Sequence, residues 1–424
     1  MGYRQECFQV FPLVVPADQT TTITIRALYD HCRLEKNTEY EVAYYPKEYW
    51  TEECKRKTFF LRPQGDSLVI SHHFTGEQEH VFTVTYEQDG EEQSVGTFSV
   101  YSLQPDLFAR RPFKGDLHMH SYYSDGRQSP AYVGAYSRMV GLDFIAITDH
   151  HQYAPSLEVQ NAFSEVAVDL RMFPGEEVHP PECHTHLVNF GGSFSVNQLF
   201  QDRESYRHEL EGVMQGLNPL PAGIDPYEYA SLVWSLDKIR EAKGLGIFCH
   251  PHWVTDNRFN VPRPLLDYLF EQQPFDAFEL LGGIAPQCNN LQVAYYNEQR
   301  AHGRIIPIVG SSDSHSCLNH TRLGAIHTIV FSPTLELQDL ISSVKELYSV
   351  AVEAIPGENS RVYGPLRLVK YAEFLLRKYV PLHDRMCFAE GNHMLDYIGG
   401  NEEAANWLQA CKGQVGRLMD KLWA

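Results

Sequence analysis

The sequence predicts a multidomain α/β protein: a small antiparallel β-sandwich, then a barrel of alternating strands and helices, then a helical C-terminal region. Three observations predict it. Short runs of alternating apolar and polar residues fill roughly the first hundred positions. Near Leu107-Phe108-Ala109-Arg110-Arg111-Pro112 the pattern changes to apolar strand runs separated by helical stretches. After about residue 335 helical periodicity takes over. The boundaries fall at 1–109, 110–335 and 336–424. A length of 424 residues suits two or three domains, and 43% hydrophobic with 21% charged residues is ordinary for a globular chain.

In the first region Ile23-Thr24-Ile25-Arg26-Ala27 and Tyr40-Glu41-Val42-Ala43-Tyr44 alternate, 68–70 is a short apolar run, and Phe82-Thr83-Val84-Thr85-Tyr86 alternates again. Asp89-Gly90 supplies a tight hairpin turn before Phe98-Ser99-Val100 resumes the pattern. Strands at this spacing pair into a sandwich. His72 and His73 are strand neighbours that point to opposite faces, so they are not expected to share a ligand.

In the second region 129–140 reads as a helix, Phe144-Ile145-Ala146-Ile147 as a buried parallel strand, and Met172-Phe173 as the opening of another. Leu187-Val188-Asn189-Phe190 is a strand run after His186. Residues 231–243 are helical, 245–249 and 275–281 are strands, 286–301 is a helix and 305–309 a strand. Alternation of this length indicates a parallel sheet, expected here to close on itself, with active residues at the C-terminal strand ends. Residues 191–226 break the rhythm and read as an insertion or lid near the mouth. In the third region Trp407, Cys411, Val415, Leu418 and Leu422 share one helical face, and 366–376 carries a similar stripe, as suits helices packed against the barrel.

The formal net charge of −19 argues against an extended nucleic acid as partner, because a phosphate backbone needs Lys and Arg to neutralise it. A small phosphorylated substrate stays compatible, since bound metal would supply local positive charge. Nine cysteines, at 7, 32, 54, 183, 249, 288, 317, 387 and 411, form no Cys-x-x-Cys, which suits free thiols in a reducing compartment. Met1-Gly2-Tyr3-Arg4-Gln5-Glu6 lacks an apolar signal core and the Ser or Thr of a myristoylation signal, and no apolar run approaches about twenty residues. A cytoplasmic protein without a membrane span is expected; the oligomeric state is not legible.

The chemistry sits in six clusters at strand ends: His118-Met119-His120 with Asp125-Gly126 beyond it, Thr148-Asp149-His150, Gly175-Glu176-Glu177, His184-Thr185-His186, His250-Pro251-His252, and Ser312-Asp313-Ser314-His315. Imidazoles and carboxylates bind Zn, Mn or Fe well, and so many clusters in such places read as one polynuclear metal site. Histidines at i and i+2 of a strand face the same way, so His118 and His120 can grip one ion, and Asp313 and His315 repeat the geometry. Glu177, with two oxygens, can bridge two metals. His184 and His186 stand apart in preceding their strand. Asp116 and Asp149 are candidate acceptors for imidazole N–H groups. His151, His179 and His252 are not expected as ligands, and His252 is the candidate proton donor to a leaving group. Arg258, Arg263 and Arg322 are candidate anion clamps among which the sequence does not choose.

Asp-Leu-His118-x-His120-Ser with Asp125-Gly126, Thr-Asp-His150, Gly-x-Glu177, His186 before an apolar strand, His250-Pro and Gly-Ser-Ser-Asp313-Ser-His315 resemble the PHP (polymerase and histidinol phosphatase) family over about residues 113–335. The resemblance implies a distorted (β/α)7 barrel holding up to three metals. By position it implies one metal on His118, His120, Glu177 and Asp313, a second on Glu177, His186 and His250, and a third on Asp125, His150 and His315. It favours Glu177 over Glu176 and His186 over His184.

The expected activity is that of a metal-dependent phosphoesterase. Its substrate would be a small phosphomonoester or nucleotide-like molecule, attacked in line by a metal-bridging hydroxide, with two to three divalent transition-metal ions (Zn, Mn or Fe) as cofactors. The ligands alone fit any water-activating metal enzyme; the resemblance supplies the phosphoester. One alternative is an amidohydrolase-like C–N bond hydrolase, disfavoured because Glu177 stands where such sites often carry a modified bridging Lys. The other is a non-catalytic, metal-stabilised module whose β domain binds a partner.

Overall fold

The computed structural model describes residues 7–48, 57–319 and 322–424. Residues 1–6, in which no signal core is read, and Cys54 lie outside the described residues. Tertiary contacts divide the chain into two units. One is Met1–Arg111 with Glu373–Tyr379 and Gly413–Ala424; the other is Pro112–Ala372 with Val380–Lys412. No helix among the described residues is long and apolar enough to cross a membrane.

The first unit is built on strands β1 (Phe8–Phe11), β2 (Val14–Pro16), β3 (Gln19–Ala27), β4 (Tyr40–Pro46), β5 (Lys57–Leu61), β6 (Ser67–Phe74), β7 (Gln78–Gln88) and β8 (Glu91–Leu103), closed by the short helix α1 (Pro105–Phe108). They form two sheets, ordered β1-β3-β6 and β2-β8-β7-β4-β5. Pairing is antiparallel except at the edge, where β2 runs parallel to β8. Alternation puts Ile23, Ile25, Val42, Ile70, Phe82, Val84 and Val100 into one shared core. Asp89 (φ 54°) and Gly90 (φ 81°) are both left-handed, as a two-residue hairpin between β7 and β8 requires.

The second unit begins with β9 (Arg111–Asp116), α2 (Pro130–Met139), β10 (Phe144–Ala146), α3 (Ala154–Ala162), β11 (Arg171–Phe173), β12 (Gly175–Val178) and β13 (Leu187–Phe190). Helices α4 (Val196–Leu199), α5 (Arg203–Gly216) and α6 (Pro226–Glu241) follow, then β14 (Leu245–Phe248) and the small hairpin β15 (Val254–Thr255) and β16 (Arg258–Phe259). Next come α7 (Arg263–Gln272), β17 (Ala277–Leu281), α8 (Pro286–Ala301), β18 (Ile308–Gly310), β19 (Ile326–Ser332), α9 (Leu337–Lys345), β20 (Ser349–Glu353) and β21 (Arg361–Tyr363). The chain ends with α10 (Leu366–Lys378), α11 (Val380–Ile398), α12 (Ala404–Cys411) and α13 (Gln414–Leu422). Local chemistry sets the boundaries. Asp225 accepts from Tyr227 N–H ahead of Pro226, so α6 starts before the stretch that its periodicity marks.

The strands do not close into the expected barrel. Among the described residues they form two open sheets, ordered β11-β10-β9-β19-β20-β21 and β12-β13-β14-β17-β18. Isolated bridges join Met119 to Ser314 and His150 to Glu177 between them. The sheets are mixed because β13 runs antiparallel to both β12 and β14, and β20 runs antiparallel to both β19 and β21. The region after 335 is also not wholly helical: β20 and β21 precede α10. The stripe from Trp407 to Leu422 belongs to two helices, because Gly413 turns left-handed (φ 73°) between α12 and α13.

Buried charges tie α11 to the second unit's sheet. Arg138 of α2 donates to Glu390 at 2.7 Å and to Asp143 at 3.0 Å. His383 lies 2.8 Å from Asp143 and 2.7 Å from Asp384, and Lys114 of β9 reaches Asp384 at 2.9 Å. Burial alone would lower the His383 pKa, yet Asp143 holds it well above the usual imidazole range. Burial would raise Asp143, yet His383 and Arg138 hold it well below the usual carboxylate range. The raised imidazole stabilises fully below its unfolded pKa of about 6.5 and loses that contribution as pH rises through its folded value. The lowered carboxylate stabilises above about pH 4 and loses its contribution as pH falls. Replacing His383 with Gln should therefore cost about 3 kcal/mol near pH 6, and less at alkaline pH, by denaturant unfolding of the full chain. A penalty independent of pH would contradict the charged pairing.

Candidate metal centre

Nine side chains converge where the parallel strands of both sheets end. His118 and His120 follow β9, Asp125 lies in the turn beyond, His150 follows β10 and Glu177 is part of β12. His250 follows β14, and Asp313 and His315 follow β18. His186 immediately precedes β13. That strand is antiparallel to its neighbours, so its first residues lie at the same end as the last residues of β12 and β14.

Glu177 is the hub. Its Oε2 lies 3.3 Å from His118 Nε2, 3.5 Å from His120 Nε2 and 2.7 Å from His150 Nδ1. Its Oε1 lies 2.8 Å from His186 Nδ1 and 3.2 Å from His250 Nε2. Asp313 Oδ1 faces His118 and His120 at 3.5 and 3.1 Å. Asp125 Oδ1 faces His315 Nε2 at 3.2 Å and His150 Nε2 at 3.5 Å, with His120 Nδ1 at 3.9 Å. His120 thus stands between two of the groupings implied by the family resemblance: donor atoms of His120, Asp125, His150 and His315 all lie within 4.8 Å of one another.

These residues fit a cation. His118 Nε2, Glu177 Oε2 and His186 Nδ1 are buried and make no hydrogen bond, despite their close approaches. Unsatisfied buried groups that crowd together without hydrogen-bond direction call for an ion. Burial would push Glu177 and Asp313 up. His186 and His118 instead hold Glu177 well below the usual carboxylate range, and His118 and His120 do the same for Asp313. Against the effect of burial, His118 is pushed up by Glu279, Asp313 and Glu177, while Glu177 raises His150 and His250. Burial pushes His186 down to about 4. His250 (φ 29°) and Asp313 (φ 43°) hold left-handed backbone conformations, a strain found where a site over-determines geometry.

Two participants escape the motif reading. Glu279, fully buried in the otherwise apolar β17, places Oε2 2.9 Å from His118 Nδ1 and so orients that ring. A carboxylate inside a buried strand was the available signal. His179 lies 2.8 Å from His150 Nδ1, and its ring lies tilted against His186 at 3.7 Å between centroids. Asp116 and Asp149 do not meet the imidazole N–H groups. Asp116 accepts backbone N–H from Ser312 and His118, and Asp149 accepts from Ser121 and Ser124. Glu176, on the opposite face of β12, is consumed by Asn189, Ser195, Val196 and Asn197. His184 is exposed, while Glu228 accepts its backbone N–H and that of Thr185.

The cluster opens into a pocket of about 490 Å³, walled on one side by Trp253, Val254, Ile284 and Ala285. Gly283 admits the close approach of the Ser312 carbonyl, where any Cβ would collide. Arg322 is the one Arg or Lys among the described residues lining the pocket. Arg263 is instead paired with Asp267 at 2.7 Å, and Arg258 lies on the exposed β16. His252 does not line the pocket; its ring packs on Phe259 and Tyr295, and burial, then Arg263, lowers its pKa. Residues 191–226 do not line it either. Tyr206 of α5 packs against Trp234 of α6, and Val254 of β15 is part of the pocket lining.

Replacing Glu279 with Gln should weaken metal binding about 10–100-fold with unchanged circular dichroism. Unchanged affinity would remove its orienting role. The Asp125 side chain is 56% exposed while that of Glu177 is 0%. Graded chelation followed by elemental analysis should therefore strip the Asp125, His150 and His315 position first, and Asp125→Ala should lack that equivalent from the outset. Simultaneous loss of all metal would count against separate positions.

No family model and no curated protein matches the chain. Among solved structures it is similar to a two-domain protein from Bacteroides vulgatus containing a predicted PHP-like metal-dependent phosphoesterase, with 17% identity over 65% of this chain and 72% of that one and a TM-score of 0.42. It is also similar to a candidate metal-dependent phosphoesterase from Bifidobacterium adolescentis, with 18% identity over 47% and 87% and a TM-score of 0.33. A third, an amidohydrolase from Chromobacterium violaceum with bound sulfate and no metal, shares 18% identity over 48% and 87% with a TM-score of 0.32.

Proposed function

We propose that the chain is a PHP-type, metal-dependent phosphoesterase acting on a small phosphomonoester or nucleotide-like substrate. One observation carries the reading: the imidazoles of His118, His120, His150, His186 and His250 gather around the two oxygens of Glu177, with Asp125, Asp313 and His315 beside them, at a pocket whose described lining offers the single guanidinium of Arg322. Two to three divalent ions of the Zn, Mn or Fe class, held by His118, His120, Asp125, His150, Glu177, His186, His250, Asp313 and His315, would supply Lewis acidity and positive charge to a hydrolytic reaction.

The chain's own groups divide the remaining work. Glu177 sets the spacing between the His118–His120 side of the site and the His186–His250 side. Glu279 accepts from His118 Nδ1, so that Nε2 presents its lone pair to the site. Asp116 ties the loop bearing His118 to the loop bearing Asp313. Arg322 suits a phosphoryl oxygen, because guanidinium pairs with such oxygens by charge-assisted, directional hydrogen bonds. Trp253, Val254, Ile284 and Ala285 offer an apolar wall for the organic part of the substrate.

The test is a panel of phosphomonoesters, phosphodiesters and amides with Mn, Zn or Fe added back to metal-free protein. Phosphomonoester turnover should be abolished by His118→Ala in a folded protein. Arg322→Ala should raise KM about 10–100-fold, as befits loss of a hydrogen bond to a charged group, with a smaller change in kcat. Turnover of amides alone would replace this reading with C–N bond hydrolysis, and metal binding without any turnover would favour a non-catalytic module.

A further inference from the structure

We propose a second metal site, in the first unit, where Cys7, His31 and Cys32 bind one ion of the zinc class. The two sulfurs and an imidazole nitrogen lie within 4.8 Å of one another. Cys7 Sγ and His31 Nε2 are 3.6 Å apart. A tetrahedral zinc, with Zn–S of about 2.3 Å and Zn–N of about 2.0 Å, places its sulfur and nitrogen ligands about 3.5 Å apart. Cys7 Sγ and His31 Nε2 already stand at about the separation that the ion would impose.

Strand register holds them there. β1 pairs with β3 so that Phe8 faces Ala27, and Leu28 N–H donates to the Cys7 carbonyl at 2.8 Å. The ladder therefore fixes Cys7 beside the single 3₁₀ turn, Asp30–Cys32, that carries both other ligands. The His31 ring stacks on Tyr29 at 5.7 Å, which limits its rotation. Two thiolates and an imidazole are soft and borderline donors, suited to zinc and unsuited to magnesium or calcium. Access is built in. Cys7 is buried, Cys32 is half-buried and His31 is exposed, and His31 and Cys32 line a cavity of about 360 Å³ together with Glu35 and Thr38. That cavity leaves room for a fourth ligand from solvent. The wide separation of Cys7 from the turn explains why no zinc-finger spacing marks the site.

The test uses reduced, metal-free, full-length protein titrated with Co²⁺ alone. The nine-residue centre has no sulfur ligand, so a thiolate-to-cobalt charge-transfer absorption reports on the cysteines. It should appear, be displaced by zinc, and persist in His118→Ala and in Cys249→Ser, whose thiol lies beside the other centre. It should be lost in Cys7→Ser and Cys32→Ser, with one equivalent less zinc by elemental analysis. His31→Ala, at an exposed position, should keep the fold and weaken cobalt binding more than about tenfold. Absence of the absorption, its survival in Cys32→Ser, or its loss in Cys249→Ser instead would overturn the proposal.

Discussion

A carboxylate taken wholly out of water must be matched by positive charge or by hydrogen bonds, and Glu177 is the place where this protein meets that demand. The answer is a shell of imidazoles delivered from many separate strand ends. Each imidazole is itself costly to bury, so the arrangement is coherent only as a set, and a cation would complete it. The mixed sheets, the left-handed residues His250 and Asp313, and the absence of a Cβ at Gly283 all serve to bring those ends to one point.

Strand direction decides which residues can contribute. Parallel strands offer their C-terminal ends. The antiparallel β13 offers its N-terminal end, and this places His186 opposite Glu177 although it comes before its strand in the chain. The same inversion keeps the array from being a simple repeat of β–α units. A period-based reading saw strands of the right length but had no access to their direction.

Much of the centre was nonetheless legible. His118-x-His120 and Asp313-x-His315 carry the two-residue period of an extended strand, and both pairs meet in space. Composition also marked the change of architecture near Arg111. What stayed hidden depends on long-range pairing. Glu279 acquires its meaning from a histidine 161 positions away, and β20 reads as part of a helical region until its partner β19 is known. His252 matched the local pattern of the site, yet its ring turns to Phe259 and Tyr295. The helical face from Trp407 to Leu422 obeyed the period but was cut by one left-handed glycine. Local period reports which faces a segment has, not which of them another element will occupy.

Glu176 and Glu177 divide two tasks between the faces of a single strand. Glu176 is committed to Asn189, Ser195, Val196 and Asn197, while its neighbour holds the centre. Because strand faces alternate, a slip of one residue between β12 and β13 would exchange them. Such a slip would take Glu177 away from the imidazoles and Glu176 away from Asn189, Ser195 and Asn197. Zipping β12 onto β13 in register and creating the metal centre are therefore one event in the life of the chain. Until that pairing is in register the imidazoles have no common carboxylate to face, so any ion the site takes would be held by the folded chain alone.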